Sequence, residues 1–111
     1  MVISFDTEKL KKLCNDTKAL IKAFGAVCAK KIRRRLDDMG AAATLEVCRS
    51  LPGQYHELKG DRKWQVAVHV EEPRRLVFFP AHDPIPTKKD GGLDWNLVTA
   101  VRVLAIEDYH G

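Results

Sequence analysis

Several features that would announce a function are missing from this chain, and each absence narrows the reading. No apolar run approaches the ~20 residues that a membrane-spanning helix needs, so no membrane partner is expected. The opening "MVISFDTEKLKK" places charge where a secretory leader carries its apolar segment, which makes the cytoplasm the expected compartment. There is no Gly-x-Gly-x-x-Gly fingerprint, no Gly-rich phosphate loop ending in Lys-Ser/Thr and no Gly-x-Ser-x-Gly elbow. Catalytic residues, if present, must therefore be dispersed along the chain.

Cysteine is scarce and odd in number. Cys14, Cys28 and Cys48 form no Cys-x-x-Cys pair, so buried free thiols are expected rather than a disulfide framework or a zinc knuckle. The four histidines, His56, His69, His82 and His110, lack His-x-x-x-His spacing. Neither a metal nor a cofactor is expected.

What is present fits one domain over residues 1–111, with 45% hydrophobic and 31% charged residues, as in an ordinary globular protein. The net charge of +4 permits nucleic-acid binding without demanding it. Its distribution is uneven: residues 1 to 50 hold 11 of the 19 Lys and Arg but 6 of the 15 Asp and Glu. The run "KKIRRR", Lys30 to Arg35, supplies much of that excess.

Periodicity divides the chain in two. "VISF" reads as a strand stopped by "DT", a helix cap; "EKLKKLC" gives a turn or two of helix; and "NDT" gives a break with a new cap. Leu20, Phe24, Val27, Cys28, Ile32, Leu36 and Met39 then follow the spacing of one amphipathic helix ended by Gly40. "AAATLEVCRSLPG", residues 41–53, predicts a second helix, so that the two form a helical hairpin. After Gly53 the pattern alternates: "YHELKG", "KWQVAVHV" and "RRLVFFP" predict an antiparallel meander. "AHDPIPTKKDGGLDW" predicts a long loop, and "VTAVRVLAIEDYH", apolar on both faces, an interior strand. The expected class is α+β, an antiparallel twisted sheet packed against an N-terminal helical hairpin.

Cations gather around a single glycine in "HELKGDRKWQ", at the entrance to a predicted strand. Most such loops are merely solvated, and Lys59 and Arg62 alone carry little functional weight. Arg75 is different, because a cation beside an apolar strand needs either a carboxylate partner or a polyanionic ligand. Glu71 or Glu72 is the expected partner of the more exposed Arg74. Trp64 and Trp95 read as apolar anchors, and His69 and His82 as structural.

Three stretches, "LPGQYHELKGDRKWQVAVHV", "RRLVFFPAHDPIP" and "GGLDWNLVTAVRVLAIEDYH", together resemble the RelE/ParE superfamily of toxins, in particular its HigB-like killer-protein branch. The resemblance covers most of the chain. It implies the toxin of a type II toxin–antitoxin pair: an endoribonuclease that cuts messenger RNA on the ribosome and is neutralised by an antitoxin of helix-turn-helix type. The positions matching the branch are His56, Lys59, Arg75, Tyr109 and His110, while Phe79 stands where the branch often carries an acid. Metal-free RNA cleavage needs a base for the 2′-hydroxyl, cations for the phosphorane and an acid for the leaving 5′-oxygen. Arg75 suits the cation, Lys59 a base or a second clamp, and His110 the acid, since imidazole titrates near pH ~6.5. Tyr109 is its rival or a base-stacking platform, and His56 is an alternative base. Arg62, Lys63, Arg74, Lys30 and Arg34 are the candidate RNA-backbone contacts. Two other readings stay open: a ParE-type toxin that blocks DNA gyrase without cutting RNA, and a non-enzymatic nucleic-acid-binding module led by the basic helix.

Overall fold

The computed structural model describes residues 1–109. In chain order it runs β1 (Val2–Phe5), α1 (Glu8–Cys14), α2 (Thr17–Phe24), α3 (Ala26–Ala41) and a 3₁₀ turn (Leu45–Ser50). There follow β2 (His56–Glu57), β3 (Val66–His69), β4 (Arg74–Pro80), a second 3₁₀ turn (Trp95–Leu97) and β5 (Ala100–Asp108).

The first two helices start on the caps that the sequence offers. Thr7 Oγ1 accepts from the Leu10 N–H and Asp16 Oδ1 from the Ala19 N–H, each at 3.1 Å, contacts worth about 1 kcal/mol apiece. The single helix expected through Leu20 to Met39 is corrected to two. Gly25, at φ +86°, donates its N–H to the Ile21 carbonyl at the end of α2 and accepts from Ala29 at the start of α3. Only glycine takes that conformation without strain. The apolar stripe survives the break, with Leu20, Cys28, Ile32, Leu36 and Met39 all buried, but Val27 is 57% exposed.

The helix expected over 41–53 is also corrected. Ala42 leaves α3 with an extended backbone, and only the 3₁₀ turn forms before Pro52 and Gly53. Six residues between Thr44 and Leu51 are too few for a stable α-helix, and the tighter 3₁₀ form is usual at that length. The helical packing is therefore that of α2 on α3, joined at Gly25.

The sheet has the order β1-β5-β4-β3-β2. The meander β2-β3-β4-β5 is antiparallel as expected, and β5 is interior. The expectation of an antiparallel sheet throughout fails at one edge: β1 runs parallel to β5, with Val2 opposite Ala100. The helices supply the long crossover that a parallel neighbour requires. Between Val77 and Phe78 the register with β5 slips, placing Val77 opposite Ala105 and Phe78 opposite Val103, a bulge of the kind that sharpens local twist.

One sheet face carries the core. Val66, Val68, Leu76, Phe78, Val101 and Val103 form a continuous buried cluster with Leu20, Cys28, Ile32, Leu36 and Met39 of the helices. All three cysteines are free and buried. Burial pushes the Cys14 thiol up to about 11 and raises that of Cys48 as well. Among the described residues, no helix is long and apolar enough to cross a membrane, and no cluster of His, Cys, Asp or Glu is fit to hold a metal ion.

Candidate functional site

Strand alternation turns a second set of side chains away from the helices. Ala67 and His69 of β3, with Arg75 and Val77 of β4, alternate with the core-facing residues and share the opposite face. Pairing then fixes their neighbours: His69 lies opposite Arg75, Arg75 opposite Glu107, and His56 opposite Ala67. Directly opposed residues have Cβ atoms only about 4.5–5.5 Å apart. Register alone thus brings together His56, His69, Arg75 and Glu107 from four strands.

Three rings stand in sequence over this face. His56 and His69 stack with centroids 5.7 Å apart at 28°, and His69 meets Tyr109 edge-on at 5.5 Å and 71°. The Arg75 guanidinium lies 5.2 Å from the Tyr109 ring centroid, a cation–π distance. Tyr109 is tied back by its N–H, which donates to the Pro73 carbonyl at 3.1 Å. Its hydroxyl donates to Glu72, and that bond holds the phenol above its ordinary range, with desolvation adding to the effect. The tyrosine keeps its proton at neutral pH.

Hydrogen bonds assign the neutral imidazole tautomers. His56 Nδ1 is 2.8 Å from the Gln54 carbonyl; a carbonyl only accepts, so Nδ1 carries the proton and Nε2 keeps the lone pair. His69 Nδ1 lies 3.4 Å from the Tyr109 oxygen, whose hydrogen is directed to Glu72. The same reasoning places a proton on His69 Nδ1 and leaves its Nε2 as the acceptor.

Arg75 has a carboxylate partner, but a different one from those nearest in sequence. Arg75 Nε and Nη2 reach Glu107 Oε1 at 2.8 and 2.7 Å. Arg62 binds the same carboxylate through Nη1 and Nη2 at 2.8 and 3.1 Å and gives its Nε to Gln65. These contacts, the Arg62 hydrogen bond foremost, hold the Glu107 carboxyl below its ordinary range and raise the Arg62 guanidinium. Two guanidiniums against one carboxylate leave this cluster with a net positive charge.

The backbone around His69 is held from outside the sheet. Its N–H donates to the Gly53 carbonyl at 2.8 Å, and its carbonyl accepts from Arg35 Nε of α3 at 2.9 Å. Gly53 has φ +117°, and an added Cβ would stand 2.4 Å from Val68 Cγ2 and 2.7 Å from Arg35 Nε. Gln54, next in the chain, is itself left-handed at φ 55°. Unusual backbone at a ligand site is a common way of aiming functional groups; here it aims the Gln54 carbonyl at His56. A cleft of about 300 Å³ opens beside these residues, lined by Gly53, Gln54, His69 and Glu72.

Of the residues singled out from sequence, the structure brings His56, Arg75 and Tyr109 together around His69. Lys59 sits exposed in the turn after β2 and makes no ion pair among the described residues. His110 lies outside the described residues. Arg62 commits its guanidinium to internal partners, Lys63 packs over the Trp64 ring, and Arg74 over the Phe24 ring. Lys30 and Arg34 line a separate cleft on α3. Sequence reasoning took His69 as structural and Glu72 as a partner for Arg74, and it did not single out Glu107. The alternation of "KWQVAVHV" already set His69 on the face away from the valines, and pairing with the Arg75 strand was the signal that would have found it. His82 is structural, accepting from the Thr99 N–H at 3.0 Å.

No protein-family model matches the chain, and no curated protein matches it. Among solved structures, the fold is similar to that of a YoeB/ParE toxin from Agrobacterium tumefaciens, with a TM-score of 0.60 and 11% identity over 98% of this chain and 99% of that one. At so low an identity the likeness establishes the fold, and function must be argued from the site.

Proposed function

We propose that the chain is the toxin of a toxin–antitoxin pair and acts as a metal-independent endoribonuclease on messenger RNA. The observation that carries this reading is the convergence of His56, His69 and Tyr109 with Arg75 on the open sheet face. The likeness of the fold to a YoeB/ParE toxin and the resemblance of the sequence to the HigB-like branch both support it.

The chemistry follows from the tautomers. His56 Nε2, the unprotonated nitrogen, accepts the 2′-hydroxyl proton as that oxygen attacks the adjacent phosphorus. Charge builds on the phosphorane oxygens, and Arg75, with Nη1 uncommitted among the described residues, stabilises it. The P–O5′ bond breaks, leaving a 2′,3′-cyclic phosphate, and an imidazolium protonates the departing 5′-oxygen. His69, once it takes up a second proton at Nε2, stands in the cleft for that task, and His110, next after Tyr109, is the other candidate. Tyr109, with its proton directed to Glu72, orients His69 and offers a ring to a base. Lys59, exposed in the turn after β2, adds positive charge.

The partners of this reading are a helix-turn-helix antitoxin and a translating ribosome. Primer extension on a translated message, with and without ribosomes, tests it for wild type, Arg75→Ala and His56→Ala. Cleavage by wild type alone, and only with ribosomes present, is expected. Absence of cleavage in both conditions sinks the ribonuclease reading, and inhibition of gyrase supercoiling by the same sample would put the ParE-type reading in its place.

A further inference from the structure

Helix α3 presents a second face that neither the core nor the histidine cleft uses. Val27, Lys30, Lys31 and Arg34 recur at i, i+3, i+4 and i+7, so they share one side of the helix. With Arg35 and Pro52 they line a cleft of about 500 Å³. Val27 is 57% exposed, and Pro52 is exposed beside it. The lining carries four cations and no carboxylate. Arg34 has a partner in Asp38 at 3.7 Å and Arg35 gives its Nε to a neutral carbonyl, whereas Lys30 and Lys31 make no ion pair among the described residues.

We propose that this cleft binds an acidic peptide segment of a partner protein, one that seats an aliphatic side chain between carboxylates. The cations call for an anionic occupant by charge complementarity. The exposed Val27 and Pro52 decide which kind: a nucleic-acid backbone has no aliphatic group to cover them, and the lining holds no aromatic ring on which a base would stack. Val27 and Arg34 are seven residues apart, about 10 Å along the helix. Three residues of extended peptide cover the same span at about 3.3 Å each, so one aliphatic side chain over Val27 and Pro52 places the carboxylates on one side of it beside Lys30, Lys31 and Arg34. Lys30 and Arg34 thus belong to a protein-binding surface rather than to the RNA path.

The inference does not depend on RNA cleavage, and its test reads peptide binding alone. A fluorescein-labelled peptide Glu-Asp-Leu-Asp-Glu is titrated by fluorescence anisotropy against the intact chain at low salt. The double variant Lys30→Glu/Lys31→Glu is expected to weaken binding at least about tenfold, since both lysines are exposed and their reversal leaves the fold intact. Replacing the peptide's leucine by serine, or making Val27→Asp, is expected to cost about fivefold, part of the gain from burying a leucine. Lys88→Glu/Lys89→Glu, the same change of net charge in the exposed loop before β5, is the control and leaves affinity within about twofold. Equal binding by the Lys30/Lys31 variant, or equal affinity of the serine peptide, overturns the proposal. So does displacement of the peptide by a uridine hexanucleotide at comparable concentration, which would return the cleft to RNA.

Discussion

Arg75 and Glu107 face each other across β4 and β5, with Arg75 Nε 2.8 Å from Glu107 Oε1. Arg62, from the turn before β3, closes on the same carboxylate from the other side. One glutamate therefore keeps two cations close together on an open face, where their mutual repulsion would otherwise separate them. The arrangement ties the turn, β4 and β5 into one unit and sets the direction of the Arg75 guanidinium.

Glu107→Gln removes that charge. Hydrogen bonds to ions at partly buried sites contribute modestly after solvent screening, so a loss of about 1–2 kcal/mol is expected in urea unfolding at neutral pH. The pH dependence has a definite sign. The folded-state pKa of Glu107 is depressed, so its stabilisation is present above the ordinary value of 4.5 and is lost as pH falls below it, through the folded-state pKa. Thermal melts from about pH 7 to pH 3 should converge for the two proteins at the acid end. A constant difference in Tm across that range would show that the carboxylate charge plays no such part.

Gly53→Ala should be far more damaging than Gly60→Ala, although both glycines have positive φ. At Gly60 an added Cβ meets nothing within 4 Å, leaving only the left-handed backbone cost of about 1 kcal/mol. At Gly53 the methyl group would also press on Val68 and Arg35, and overpacking adds about 1–3 kcal/mol. Chemical denaturation of the two variants side by side makes the comparison, and equal losses would mean that the contact at Gly53 is relieved by small shifts.

The parts of the fold legible in the sequence were those written in short-range patterns. The caps at Thr7 and Asp16, the alternation of Val66 to His69 and the two-faced apolar run of β5 each state their element locally. The break at Gly25 was hidden because the apolar stripe continues through it: the buried positions keep helical spacing while the axis changes. The parallel pairing of β1 with β5 joins residues about a hundred positions apart, and no local pattern encodes it. At the site, Arg75 could be read as a cation needing a carboxylate or a polyanion, but nothing local named the partner, Glu107, which lies on the neighbouring strand. His69 was set aside because alternation fixes a face without saying what gathers there.

Thiol chemistry should be nearly silent in the native state. Cys14 titrates at about 11, the Cys48 thiol is raised, and Cys28 is fully buried. At about pH 8 only around one Cys14 in a thousand is thiolate, and the thiolate is the reactive form. Ellman's reagent should therefore label no cysteine quickly in buffer and all three after unfolding in guanidinium. One fast equivalent in buffer would place a thiol at the surface.

Arg35 offers the sharpest test of how the helices serve the open face. Its Nε bond to the His69 carbonyl, together with the Gly53 carbonyl on the His69 N–H, fixes this residue at the end of β3, beyond the last core-facing valine of that strand. Arg35→Ala releases one of the two restraints and leaves the buried stripe of α3 untouched. On the ribonuclease reading, cleavage should fall about tenfold through kcat with little change in KM, since misplacing a reacting group by a fraction of an ångström costs rate more than binding. The imidazole NMR signals of His69 should shift, while those of His82, held by the Thr99 N–H on a separate loop, stay in place. A variant that loses stability and shifts both histidines alike would make Arg35 a general packing residue instead.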